Sequence, residues 1–173
     1  MPTENISSAV RALVADDPFW RAEEPTVRTW VAAEPENLYG GGPVGGPSPG
    51  GPPFVIGEGN TLAGATMDNP GDIEAWPVWR VEGLDGAGVT DVVLGVGDRQ
   101  IAYPGPIGLG QVLTVDTDPL DQQVYLDGVN VTGDLTEWGF APVPAGAGAS
   151  LSLSMVGASE VRASIHPKYY RAW

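Results

Sequence analysis

The sequence predicts an all-β chain: an antiparallel β-sandwich preceded by a short N-terminal β arm and a Gly/Pro-rich linker. Three observations carry this prediction. From Phe54 to His166, short runs of β-forming residues recur between glycine-bearing turns, the pattern of a sandwich or barrel. Leu151, Leu153 and Met155 alternate with Ser150, Ser152 and Ser154, which describes a strand with one apolar and one small polar face. The 25 Gly and 17 Pro of the 173 residues are partly concentrated in one segment, so they mark a linker and turns within a folded chain.

The first unit covers residues 1–38. Val10 to Ala15 reads as a strand, with Ser7 or Ser8 able instead to cap a short helix; Asp16-Asp17-Pro18 ends it. Phe19-Trp20 is an aromatic pair too large to leave exposed without cost. Thr26 to Val31 is β-rich and predicts a second strand. Two strands are marginal alone in water. The arm is therefore expected to lean on a neighbouring subunit and to order only there, with Phe19, Trp20, Trp30 and Val31 as candidate interface residues. Residues 39–53 form the linker: seven Gly and five Pro in fifteen positions suit neither a helix nor a central strand.

Residues 54–173 form the predicted sandwich. Its expected strands are Phe54–Ile56, Thr61–Met67, Ala75–Val81, Thr90–Val96, Gln100–Tyr103 and Val112–Asp116. They continue with Gln123–Leu126, Val129–Thr132, Gly139–Pro142, Ser150–Val156 and Glu160–His166. Asp127-Gly128, between Leu126 and Val129, predicts a two-residue hairpin, because a type I′ turn needs φ > 0 at both positions. The most informative stretch is Asn69 to Gly83. Asn69-Pro70-Gly71-Asp72 is turn chemistry, and Trp76, Val78, Trp79 and Val81 then supply a strand with large aromatic side chains. Trp76 and Trp79 have opposite parity along a strand, so one is expected in the core and the other outside it.

Composition removes several classes of function. The net charge of −14, from 8 basic and 22 acidic residues, repels phosphate backbones and anionic lipid, so neither nucleic acid nor membrane is an expected partner. No long apolar run or basic leader is present, so neither a transmembrane helix nor a signal peptide is expected. Without cysteine there is no disulfide and no thiolate zinc site. His166 is the single histidine, and no Gly-x-Ser-x-Gly elbow accompanies it, so it reads as a strand-end histidine with ordinary hydrogen bonds. Asp68, Asp72 and Glu74, and Asp116, Asp118 and Asp121, could in principle supply a carboxylate pair for glycoside hydrolysis. Twenty-two acids make such clusters by chance. The second group also lacks EF-hand spacing, so a solvated turn is the better reading than a calcium site. No catalytic residue, cofactor or metal is expected.

Wording spread along the chain resembles one family. Asn69-Pro70-Gly71-Asp72 followed by Ala75-Trp76-Pro77 and closed by Gly83 is similar to the opening of the C-terminal galectin-like sandwich of siphophage distal tail (minor tail) proteins, especially those of actinobacteriophages. Leu113 to Thr117, Gln123 to Asn130, Phe140 to Gly146 and the terminal Pro167-Lys168-Tyr169-Tyr170-Arg171-Ala172-Trp173 resemble later pieces of that sandwich in order. Asp16 to Trp20 resembles the close of the preceding belt domain, of which only the last strands are matched. The resemblance implies a structural virion protein, made in the host bacterial cytoplasm and placed in the tail. It further implies a ring of six copies that contacts tail-tube and tail-tip hub proteins. The competing reading is a carbohydrate-binding module in which one exposed Trp stacks on host surface glycan.

Overall fold

A computed structural model describes residues 18–32, 60–61 and 64–171. The expected strands Val10–Ala15 and Phe54–Ile56 and the whole linker lie outside the described residues. Among the described residues, fourteen strands and one short 3-10 turn make up the regular structure. Among the described residues, no helix is long and apolar enough to cross a membrane.

The strands pack as two antiparallel sheets. The first contains, in spatial order, β10 (Val129–Asn130), β9 (Gln123–Leu126), β8 (Val112–Asp116), β5 (Val78–Gly83), β13 (Ser159–Ile165) and β2 (Thr26–Ala32). The second runs β11 (Glu137–Trp138), β7 (Arg99–Tyr103), β6 (Thr90–Val96), β12 (Gly146–Val156) and β3 (Asn60–Thr61). β4 (Thr66–Asn69) pairs with the first half of β12, whose second half pairs with β6. A separate two-stranded ribbon joins β1 (Trp20–Arg21) to β14 (Lys168–Tyr169).

Period-two patterning decides what the sheets bury. In β5, Trp79 and Val81 point inward while Arg80 and Glu82 point out; in β13, Val161, Ala163 and Ile165 are inward. Leu113, Val115 and Val124 complete this inner face, and Leu94, Ile101, Leu151, Leu153, Met155 and Met67 meet them from the second sheet. Trp79, at 1% exposure, is the largest fully buried side chain; Trp76 lies before the strand and is half-buried. Trp79 is thus the core tryptophan, whereas Trp76, expected on the same strand with opposite parity, is not part of it. The Leu/Ser alternation of β12 is also as expected, with Leu151, Leu153 and Met155 buried.

The Asp127-Gly128 hairpin has φ of 47° and 82°, joining Leu126 to its partner Val129. Both positive values define the primed turn. Nothing lies within 4 Å of a Cβ built on Gly128, so only backbone conformation opposes substitution there. Gly128→Val is expected to cost about 1–3 kcal/mol, read as a lower melting temperature.

Several boundaries differ from the sequence expectation, each for a local reason. The strand expected over Ala75–Val81 starts at Val78, because Pro77 has no N–H to give a ladder; Ala75 makes one isolated bridge with Val143. Val129–Thr132 stops at Asn130. There the Asn130 side chain accepts the Thr132 N–H and Thr132 Oγ1 accepts the Val124 N–H, diverting the chain into the 3-10 turn Thr132–Asp134. The strand expected over Gly139–Pro142 is displaced to Glu137–Trp138, against β7.

The largest correction concerns the arm. β2 pairs with β13 over seven consecutive residues, from Thr26↔Ile165 to Ala32↔Ser159. Trp30 packs against the common core. The expectation that this segment orders only on a neighbour is therefore overturned for residues 18–32. Of the two strands considered marginal alone, Thr26–Ala32 has β13 as its partner, whose other edge is already built into the sheet.

Candidate interaction site at one end of the sandwich

The Asn69-Pro70-Gly71-Asp72 turn acts as a clamp on the end of the chain. Asn69 is fully buried, and its amide donates to the carbonyls of Ile73 (2.8 Å) and Val143 (3.1 Å). Its Oδ1 accepts the Gly71 N–H at 3.0 Å, an Asx turn that closes the loop on itself. Asp72 then holds β14 at two points along one edge. Its N–H donates to the Lys168 carbonyl (2.8 Å), and its carboxylate accepts the Tyr170 N–H (3.0 Å). Gly71 permits this approach, since a Cβ there would stand 2.7 Å from the Lys168 carbonyl oxygen.

β14 in turn holds β1. Trp20 pairs with Tyr169 and Arg21 with Lys168, while the Ala22 N–H donates to the Pro167 carbonyl at 2.8 Å. The His166 ring lies 3.2 Å from the Ala22 carbonyl through Nδ1, the ordinary structural hydrogen bond expected of it. Phe19 meets Tyr170 edge-on, with ring centroids 5.7 Å apart. Trp20, across from Tyr169, is 60% exposed, and Tyr170, against Phe19, is 64% exposed.

The four candidate interface residues therefore occupy three places. Phe19 and Trp20 are consecutive at the ribbon, Phe19 against Tyr170 and Trp20 across from Tyr169. Trp30 faces inward and is half-buried against the core. Val31, 57% exposed, lies on the outer face of the first sheet. Sequence reading missed Tyr169 and Tyr170 as the partners of Trp20 and Phe19, although the terminal Tyr-Tyr pair was a visible signal. It also missed a groove of about 130 Å³ on the outer face of the first sheet, lined by Arg80, Glu82, Val112, Glu160 and Arg162.

The acidic clusters are employed in local structure. Asp68 pairs with Arg28 at 3.3 Å, with both side chains more than half exposed, a contact worth at most about 1 kcal/mol. Asp116 Oδ1 accepts the Asp118 N–H and Asp118 Oδ1 accepts the Leu120 N–H, each at 3.0 Å, as in a tightly wound solvated turn. Among the described residues, no group of three or more His, Asp or Glu is placed to hold a metal ion.

Burial pushes the Asp116 carboxyl above its ordinary 3.8, and the charges of Asp121 and Asp118 add to the rise; the Asp118 N–H and Arg21 oppose it. A carboxyl whose pKa is raised by folding binds more protons folded than unfolded between the two values. Its contribution to stability therefore falls as pH rises through that window. Asp116→Asn retains an acceptor for the Asp118 N–H and removes the charge. Its melting temperature should exceed that of the wild type at pH 7, and the difference should vanish as pH falls below 3.8.

No family model, curated protein or solved structure matches this chain.

Proposed function

We propose that the chain is a structural component of a phage tail, a distal or minor tail protein with a galectin-like sandwich that acts by protein–protein contact and not by catalysis. The observation that carries this reading is the exposure of Trp20 and Tyr170 at the ribbon held in place by the Asn69–Asp72 clamp. Trp and Tyr are enriched in the buried centres of protein interfaces, where they supply large contact area at low entropic cost. Holding Trp20 outward on a two-stranded ribbon leaves apolar surface in water unless something covers it. The order of the resembling segments, from Asp16 to Trp173, supplies the tail context. In this reading copies of the chain form a ring, and its neighbours are tail-tube and tail-tip hub proteins.

Two measurements test the proposal. Antibody against the chain should label the tail tip of particles whose genome encodes it, and unlabelled particles would sink the tail assignment. Native mass spectrometry of the purified chain should show ring oligomers that Trp20→Ser reduces to smaller species. A monomer that binds soluble host glycan through Trp20 would instead support the carbohydrate-binding reading.

A further inference from the structure

β5 and β13 carry mirror-image words on their outer faces: Arg80-Val81-Glu82 and Glu160-Val161-Arg162. Antiparallel register sets Arg80 opposite Arg162 and Glu82 opposite Glu160. The flanking strands extend these rows, to Thr29 and Thr114 beside the arginines and to Val31 and Val112 beside the glutamates. Like charges directly across a strand pair are the unfavourable arrangement in a sheet, and a shift of the charges on one strand would have relieved both pairs. No ion pair among the described residues joins any of the four. Arg80, Arg162 and Glu82 are exposed and Glu160 is half-buried, around the shallow groove.

We infer that this face docks on the same face of a second copy. The occupant follows from charge complementarity. A two-fold axis lying in the face and running across the strands, between the arginine row and the glutamate row, reverses the order of the rows. It sets Arg80 over Glu82 of the second copy and Arg162 over its Glu160, with the reciprocal pairs generated by symmetry, as an isologous contact requires. Val31 and Val112 then close the edges of the contact. The arrangement that is repulsive within one sheet becomes attractive between two. The net charge of −14 opposes approach, but at 0.15 M salt it is screened beyond about 8 Å, whereas the close pairs are shielded far less. A contact of a few hundred Å² per copy belongs with weak, transient interfaces, so a Kd on the order of 10–100 μM is expected.

This inference stands apart from the tail assignment, and the experiment separates them. Sedimentation equilibrium of the full chain is run at 0.15 M salt in the Trp20→Ser background, which leaves the charged face untouched. Dimers are expected there. Arg80→Glu with Arg162→Glu, and separately Glu82→Arg with Glu160→Arg, should each weaken dimerisation at least tenfold. An equimolar mixture of the two should restore it, since each face then meets its complement. Far-UV circular dichroism checks the fold, and Arg80→Gln with Arg162→Gln replaces a reversal that unfolds. The inference is overturned by a chain that stays monomeric to 1 mM (about ten times the weakest expected Kd), by reversals that leave association unchanged, or by a mixture that fails to associate. Monomers that bind a small amphoteric solute in the groove would overturn it in favour of a ligand site.

Discussion

Trp79→Ala is expected to lower stability by about 3–5 kcal/mol, the largest single effect in the molecule. Trp79 is 1% exposed near the start of β5, between Ala163 of β13 and Val115 of β8. Its ring lies in the common core, so truncation removes buried apolar surface and leaves a cavity that the rigid surroundings cannot close (cores pack about as densely as organic crystals). For a chain of this size each kcal/mol shifts the melting temperature by roughly 2–4 °C, so a fall of about 6–20 °C is expected in a calorimetric scan. A fall of only a degree or two would mean that Trp79 does not fill the core. Trp76→Ala, at a half-buried position before the strand, should cost much less, and the contrast tests the assignment of the two tryptophans directly.

The second large effect is expected at Asn69. Replacing it with alanine removes both amide donors and the acceptor, leaving the Val143 and Ile73 carbonyls and the Gly71 N–H without that partner. Each buried polar group left unsatisfied costs about 1–3 kcal/mol, so a total of roughly 2–5 kcal/mol is expected once partial relaxation is allowed. The location of the loss is as informative as its size. The turn holds β14, and β14 holds β1, so hydrogen exchange should accelerate at Ala22, Asp72 and Tyr170, whose N–H groups close this end. Trp20 fluorescence should change with them. Faster exchange spread evenly over both sheets would show that the turn does not act as a local clamp. Asn69→Asp keeps the acceptor for Gly71 but loses both donated bonds and buries a charge, and it should be at least as damaging.

Much of this molecule is legible in the sequence because its elements depend on local chemistry. Alternation in β12 and β13 decides which side chains face inward, since a strand has a period of two and one face must leave water. Asp127-Gly128 is sufficient for its hairpin because few residues accept φ > 0 twice in succession. The turn at Asn69 is equally readable, as proline and glycine restrict the backbone before any tertiary contact forms. Absence of cysteine and a charge of −14 likewise follow from composition alone.

What only the tertiary structure decided are the pairings between distant segments. Nothing local to Thr26–Ala32 says that its partner is Ser159–Ile165, more than a hundred residues away, so a strand of the common sheet reads as a detached arm. The clamp has the same character, because the Asn69 turn is local but its grip on Lys168 and Tyr170 is not. The charged rows make the point most sharply. Arg-Val-Glu and Glu-Val-Arg are unremarked words of an amphipathic strand until register sets like beside like. Moving one strand by two residues would set Glu82 opposite Arg162 and separate both like-charged pairs while preserving every inward side chain. Side-chain alternation therefore cannot choose between the two registers; the turns and the packed core between the sheets do.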